Sequence, residues 1–322
     1  MNRSAAPPNP DRRYRTWASG RSLLWKQMKR DRYLYLFLLP VIVYYLLFRY
    51  APMIGQIIAF KNFTISGGIF GSEWAGLAHF RELFDKETFW QVLRNTLFLN
   101  VFSLAVGFPV PIILAIMLNE VRLSFYRRVI QSIVYIPHFI SWVILSGMVA
   151  AVLSPSTGIV NFLLHRVFGI EPIYFLISTF WWPIAFVLSG IWQGAGWGTI
   201  LYLAAMANID PQLYEAARMD GAGKLRQIWH ITLPGIRSII AIILILSMGS
   251  MMDVGFEHIY ALQNDMVVDV AEVISTYVYK QGIRSMDYSF TTALGLFQSA
   301  VGFVLIVSVN KIVKAMGERG IW

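Results

Sequence analysis

The sequence contains no cysteine and few charged residues. Without cysteine, the chain has no disulfide bond, no thiolate metal site and no cysteine nucleophile. Only 14% of its 322 residues are Asp, Glu, Lys or Arg, against about a quarter in an ordinary soluble domain, and hydrophobic residues make up 57%. Because so few polar side chains are available to cover a water-facing surface, the composition excludes a soluble globular protein and indicates a membrane protein.

Motifs for catalysis and nucleotide binding are also missing. Residues 221–224 read Gly-Ala-Gly-Lys, as in part of a phosphate-binding loop. However, Arg218 stands where that loop needs its first glycine, and Leu225 where it needs serine or threonine. The five histidines are scattered without metal-ligand spacing, and no Ser-His-Asp set or carboxylate pair stands out. We therefore expect a chain that is not an enzyme and holds no metal or cofactor.

Six apolar runs approach the length of about 20 residues that a helix needs to cross a bilayer. They lie at residues 33–50, 95–118, 129–153, 180–206, 236–252 and 290–309. The alternating pattern of barrel strands is absent, so helices that satisfy their own backbone hydrogen bonds are the spanning structure. The predicted fold class is all-α, a polytopic membrane protein with six transmembrane helices.

Lysine and arginine are divided unevenly between the two sides of these spans. Of the 27, 19 lie on one side, in the N-terminal tail, the loops after spans two and four, the C-terminal tail and at the edge of span five (Arg237). Seven lie in the other loops, and Arg49 lies inside span one. The positive-inside rule then places both termini in the cytoplasm. The membrane that we expect is the plasma (inner) membrane. Since orientation explains the net charge of +9, we expect no nucleic-acid partner.

The spans and loops predict a division of the chain into five parts. These are a basic cytoplasmic tail (1–32), a first transmembrane helix (33–50), an extracytoplasmic loop (51–94), a core with five transmembrane helices (95–309) and a cytoplasmic tail (310–322). The core includes a cytoplasmic loop at 208–236, which contains the most specific pattern in the sequence.

This loop predicts two short helices. Asp210 followed by Pro211 is a typical helix start, with the carboxylate as N-cap and proline in the first turn. Two alanines after Glu215 give the helix a thin face, and Gly221 permits a sharp turn after it. A second helix is predicted at 224–231. A thin helix held between two spans is suited to insertion into a groove on a partner.

The same loop resembles the EAA loop of bacterial ABC-importer permeases. The matching residues, in the same order and spacing, are Glu215-Ala216-Ala217, Asp220-Gly221-Ala222-Gly223 and Ile231-Thr232-Leu233-Pro234. The stretches at 203–214 and 74–80 resemble the carbohydrate branch of that family. From residue 33 onward, the chain resembles its polysaccharide-importing group, to which the permeases of bacterial alginate importers belong.

The resemblance implies the type I ABC importer permease fold and a transport function. In this family the loop forms a coupling helix that docks into a separate ATPase subunit, which assigns that contact to Glu215, Ala216, Ala217, Asp220, Gly221 and Gly223. The implied partners are a second permease, two ATPase subunits that bind ATP and Mg, and an extracytoplasmic solute-binding protein. The implied cargo is an oligosaccharide or polysaccharide such as alginate, moved by alternating access through the bilayer.

A rival interpretation is a secondary transporter or channel for a small polar solute that needs no ATPase partner. It accounts for the six spans but leaves the pattern at 208–236 unexplained.

Span four holds the candidates for a saccharide path. They are Trp192, Gln193 and Trp197. Aromatic faces can stack on sugar rings and an amide can hydrogen-bond hydroxyls, although the same residues can equally serve to pack helices together. At the cytoplasmic end of span two, Glu120 is interpreted as solvated or paired with Arg122.

Overall fold

The computed structural model describes residues 29–317 and 320–321. The predictions for the basic tail before residue 29 therefore lie outside the described residues. The chain divides into two compact units, Met1–Ile57 and Ile58–Trp322.

The described part of the first unit is helical. Helix α1, Arg32–Tyr45, continues through a π turn, Leu46–Tyr50, into a 3₁₀ segment, Ala51–Phe60. Residues 32–50 are all exposed, and nearly all of them are apolar. A helix that is apolar on every side is stable when lipid or another membrane helix covers it, as expected for a transmembrane span.

The second unit begins with a small ordered cap. Strand β1, Lys61–Asn62, pairs antiparallel with β2, Glu73–Trp74, and the short helix α2, Gly68–Gly71, lies between them. Helix α3, Ala78–Asp85, follows. The buried Lys61 amine donates to the backbone carbonyls of Ile69 and Phe70 within α2, which ties the cap together.

Long apolar helices form the rest of the unit. They are α4 (Glu87–Gly107) continuing into α5 (Pro109–Glu120), α9 (Trp181–Met206), α12 (Leu233–Gly249) and α16 (Tyr288–Ala315). With the first-unit helix, five continuous helical segments in the described residues have the length and composition to cross a membrane. They correspond to predicted spans one, two, four, five and six.

Span three is a broken helix rather than one continuous helix. Helix α6, Ser124–Tyr135, ends in a 3₁₀ turn, Ile136–Phe139, and α7, Trp142–Leu153, leaves at 108° to it. Pro137 lies in the 3₁₀ turn, and extended backbone follows before α7 begins. Proline removes a helical hydrogen bond, so the axis breaks here. Counted as one span, the bent pair brings the described chain to the predicted six.

The predicted second loop helix at 224–231 is not separate from span five. Helix α11, Lys224–Gln227, runs through a π turn, Ile228–Thr232, directly into α12. The π turn lets the helix pass Pro234, which cannot donate a backbone hydrogen bond. The preceding helix of the loop, α10, Pro211–Met219, is a separate element.

Short helices cover the membrane helices at the end opposite to the 208–236 loop. They are α8 (Ile159–Phe168), α13 (Phe256–Leu262), α14 (Val268–Ala271) and α15 (Ile274–Tyr279), the last followed by a π turn at Lys280–Arg284. Asn95 on α4 donates to the carbonyls of Asp269 and Glu272 at 2.8 and 3.0 Å. Trp182 on α9 donates to the Leu262 carbonyl at 3.0 Å, so spans two and four hold α13 and α14 in place.

Candidate functional site

The EAA loop, residues 208–236, contains helix α10, and local hydrogen bonds cap both ends of this helix. Oδ1 of Asp210 accepts from the backbone N–H of Gln212 at 2.9 Å, as the predicted N-cap requires. At the other end the N–H of Ala222 donates to the Ala217 carbonyl at 2.8 Å. Gly221 makes this reversal with a φ of +74°, a conformation that a side chain would strain.

Two side-chain contacts attach the EAA loop to the spans beside it. The hydroxyl of Tyr214 on α10 hydrogen-bonds Oγ1 of the buried Thr232, in the π turn of span five, at 2.9 Å. The amine of Lys224 forms an ion pair with Glu120 at the end of α5. Glu120 is therefore paired, but with Lys224 rather than Arg122. The Tyr214 bond thus joins α10 to the helix of span five, and the Lys224 ion pair joins the start of that helix to the end of span two.

Most of the EAA loop surface is exposed. The predicted contact residues Glu215, Ala216, Asp220, Gly221 and Gly223 are exposed, and Ala217 is half-buried. Four large apolar side chains are exposed beside them: Leu213, Met219, Leu225 and Trp229, with Met219 at 88%. The sequence analysis did not name these as contact residues, although apolar side chains in a polar loop were the available signal. Exposed apolar side chains rimmed by polar ones are typical of a protein–protein contact surface.

A groove lies between α4–α5, α9 and the end of α12. Its two cavities, of about 390 and 340 Å³, both have Asn100, Ser103 and Pro111 in their walls. On α9 the wall includes three glycines spaced four apart, Gly190, Gly194 and Gly198, among larger side chains such as Phe186 and Tyr202. On α12 it includes Ser247, and Ser250 follows at the helix end. The sequence analysis missed these amide and hydroxyl side chains, which stand singly within apolar runs.

The glycines of α9 fall into two environments. A β-carbon at Gly196 would lie 2.0 Å from the carbonyl oxygen of Val134, so α6 crosses α9 with backbone against backbone. A β-carbon at Gly194 would meet no atom within 4 Å, because that position faces the groove. Small residues that permit close helix contact are typical of membrane helix packing.

The structure separates the three predicted path residues. The Trp197 ring stacks on His138 at 4.7 Å, and Nε2 of Gln193 donates to the His138 carbonyl at 3.4 Å. Both residues therefore contact the break in span three. Trp192 instead lines an apolar cavity of about 470 Å³ between α7, α8 and α9.

His258 on α13 closes the groove at the end away from the EAA loop. Its ring lies between Trp142 at 3.5 Å and Phe186 at 3.9 Å, and its Nε2 hydrogen-bonds the Ser189 hydroxyl at 3.0 Å. Burial lowers the pKa of His258 to about 3, so the imidazole is neutral at physiological pH. Among residues 29–317 and 320–321, no three His, Asp or Glu side chains are grouped to hold a metal ion.

The sequence matches a protein family and is similar to individual permeases of known systems. Residues 107–319 match the family described as the inner membrane component of binding-protein-dependent transport systems. The polygalacturonan/rhamnogalacturonan transport system permease protein YteP of Bacillus subtilis (strain 168) is 48% identical over 94% of each chain. The arabinooligosaccharides transport system permease protein AraP of the same strain is 29% identical, over 85% of this chain and 86% of that protein.

A solved structure is similar over nearly the whole described chain. It is the crystal structure of a bacterial alginate ABC transporter in complex with an alginate pentasaccharide-bound periplasmic protein. One of its chains is 43% identical with a TM-score of 0.84, covering 92% of this chain and 99% of that one. Because the family match extends over more than half of the sequence, this protein belongs to the inner membrane components of binding-protein-dependent transport systems, the permease subunits of ABC importers.

Proposed function

We propose that this chain is the permease subunit of an ATP-driven importer for acidic saccharides. The observation that carries the proposal is the EAA loop, which presents the capped helix α10 on an exposed surface and is attached to spans two and five. Movement of α10 by a partner would be transmitted to two walls of the groove. That arrangement suits alternating access, in which the groove opens to one side of the membrane and then to the other.

The proposed assembly contains a second permease, two ATPase subunits and an extracytoplasmic solute-binding protein. ATP and Mg would be held by the ATPase subunits, and this chain would hold no cofactor. The exposed apolar side chains around Glu215 support a protein partner at the EAA loop. A secondary transporter or channel has no use for such a surface, so this rival function is less well supported.

The relatives' names support uronate polymers as the substrate class. The 48% identical permease is named for polygalacturonan and rhamnogalacturonan, and the 43% identical structure is of an alginate transporter. Polygalacturonan and alginate are both chains of uronic acids, with one carboxylate on each sugar ring. We infer a uronate-containing oligosaccharide as the cargo of this chain, with alginate fragments as one member of the class.

Reversing the charge of Glu215 tests the ATPase partnership. Glu215→Lys should lower the amount of ATPase that co-purifies with the permease about tenfold, because a cation replaces an anion on a surface that meets a partner. Glu215 is exposed on the loop, so the permease should still insert at its normal level. Glu171→Lys, an exposed carboxylate beyond α8, is the matched control. Normal ATPase recovery and normal saccharide uptake in Glu215→Lys would contradict the proposed function.

Of the predicted path residues, Gln193 is the one that we propose to act on the groove, as its neighbour. Gln193→Leu should lower saccharide uptake about threefold, because it removes the amide that holds the break in span three, next to groove-lining Gly194. Uptake is measured in proteoliposomes with the complete transporter. Trp192→Leu provides the comparison, since Trp192 lines the apolar cavity instead. Equal uptake by wild type and Gln193→Leu would assign Gln193 to packing alone.

We also propose that both termini and the EAA loop lie in the cytoplasm. The excess of lysine and arginine on that side supports this orientation. Cysteines introduced at Met219 and at Phe70, both strongly exposed, should react with a membrane-impermeant maleimide from opposite sides. The chain has no native cysteine to interfere. Labelling of both positions from the outside of intact cells would contradict this topology.

A further inference from the structure

A further cavity lies at the end of the membrane helices opposite to the EAA loop. It measures about 500 Å³ and is enclosed by α15, the π turn after it and the first turns of α16. Its size falls in the range of about 300–1,000 Å³ typical of small-ligand sites. Asp253 and Phe256 line this cavity, whereas Val254 and Gly255 between them line the groove. The four residues 253–256 therefore separate this cavity from the groove.

Aromatic rings form one wall of this cavity. Phe256 stacks on Tyr260 at 5.0 Å, and Tyr279 contacts both rings at 5.1 and 5.4 Å. Phe256 and Tyr279 line the cavity, and Tyr288 adds a third aromatic lining residue. Flat aromatic faces beside hydroxyl groups are chemically suited to the apolar face of a sugar ring.

A guanidinium group stands at the edge of this wall. The Arg284 guanidinium carbon lies 5.9 Å from the centre of the Tyr279 ring, and Nη2 donates to the Tyr260 hydroxyl at 3.4 Å. Arg284 is exposed and forms no ion pair with a carboxylate of the described residues. The nearby Lys280, by contrast, is paired with Glu272 at 2.9 Å. Arg284 thus retains donors for the bidentate recognition of a carboxylate.

A buried hydroxyl in the same cavity lacks a partner. Oγ of Ser275 is enclosed and makes no hydrogen bond within the described chain. Nearly all buried polar groups in native proteins are hydrogen-bonded. Rotation about χ1 would turn this hydroxyl from its enclosed position toward the cavity, where a bound molecule would supply the missing partner. The cavity also contains one carboxylate, Asp253, which accepts from the Gly255 N–H at 3.0 Å. Its other oxygen suits a sugar hydroxyl, which is a donor.

We propose that this cavity is a subsite for one uronate residue of the saccharide before it enters the groove. Phe256 and Tyr279 stack on the ring, Arg284 pairs with its carboxylate, and Ser275 hydrogen-bonds one of its oxygens. The inference rests on the proposed function, because it assumes that acidic saccharides are the cargo. It adds a binding site on this chain that lies outside the groove.

The test measures the binding of tri-galacturonate to the purified transporter in the absence of its binding protein. Saturation-transfer NMR titration gives the dissociation constant. Arg284→Gln should weaken binding about tenfold, as expected when a charged hydrogen-bond partner is lost. The fully methyl-esterified trisaccharide has no carboxylate, so its dissociation constant should be the same for wild type and Arg284→Gln. Ser275→Ala should weaken binding of both compounds about threefold. Arg166→Gln, an exposed arginine on α8, is the matched control and should bind both normally.

The outcomes separate the subsite from the proposed function. Wild-type affinity for tri-galacturonate in both Arg284→Gln and Ser275→Ala would overturn the subsite. Equal loss of acid and ester binding in Arg284→Gln would also overturn it, because that result reports a structural change rather than carboxylate recognition. Uptake by the complete transporter with its binding protein is measured in parallel. Absence of uptake of both tri-galacturonate and alginate trisaccharide in the wild type would contradict the proposed substrate class itself.

Discussion

Gly196→Ala is expected to prevent stable folding of this permease, although it adds a single methyl group. The new β-carbon would lie 2.0 Å from the Val134 carbonyl oxygen. The α9 backbone fixes the position of the β-carbon and the oxygen belongs to the α6 backbone, so neither atom can rotate away. Helices α6 and α9 would have to separate. Overpacking costs about 1–3 kcal/mol and sometimes more, and a clash with backbone belongs at the upper end. The measurement is the thermal unfolding midpoint of the purified permease in detergent, together with its level in membranes.

Gly194→Ala is the matched control, two residues earlier in the same helix. No atom lies within 4 Å of its β-carbon position, so the methyl group enters the groove. Alanine in place of glycine inside a helix is favourable by about 0.5–1 kcal/mol, so this variant should be at least as stable as wild type. Equal stability of the two alanine variants would show that α6 and α9 are not in close backbone contact.

Gly221→Val is expected to uncouple ATP hydrolysis from saccharide import. Valine at a φ of +74° is strained by about 1–3 kcal/mol, so the turn after α10 should change conformation and displace the surface around Glu215. No atom lies within 4 Å of the added β-carbon, so the effect comes from the backbone rather than from a clash. Import per ATP hydrolysed should fall about tenfold in proteoliposomes, while the permease level stays normal.

Two further variants separate strain at this turn from general destabilisation. Gly221→Asn should retain most coupling, because asparagine tolerates positive φ better than valine does. Gly169→Val imposes similar strain at the end of α8, at a φ of +65°, far along the chain from the EAA loop. It should leave the ratio of import to hydrolysis unchanged. The same loss of coupling in Gly169→Val would show that backbone strain anywhere, not the EAA turn, causes the effect.

Features that depend on nearby residues were predictable from the sequence. The capping of α10 by Asp210, the proline in its first turn and the glycine turn after it are set within a few residues of each other, and all three are confirmed. The six apolar runs were likewise sufficient for the fold class, because a bilayer demands continuous apolar length. The family resemblance at residues 215–234 is confirmed by the family match.

Bends and junctions of helices were not predictable from composition. An apolar run containing Pro137 has the same composition whether the helix merely kinks or turns by 108°. The sequence predicts a separate short helix at 224–231, before Pro234. The π turn at Ile228–Thr232 instead carries the helix past that proline. In both regions neighbouring helices decide how the backbone accommodates the missing hydrogen bond.

The sequence by itself determined that this protein crosses the membrane several times and presents a capped helix in the loop at 208–236. Only the tertiary structure decided the partners of side chains far apart in the chain, such as Glu120 with Lys224 and Asn95 with the carbonyl of Asp269. It also decided that Gly194 faces a groove whereas Gly196 meets a backbone, although both are glycines of one helix. The physical reason is that membrane length and helix capping are local properties, while each face of an apolar helix acquires its role from the helices packed against it.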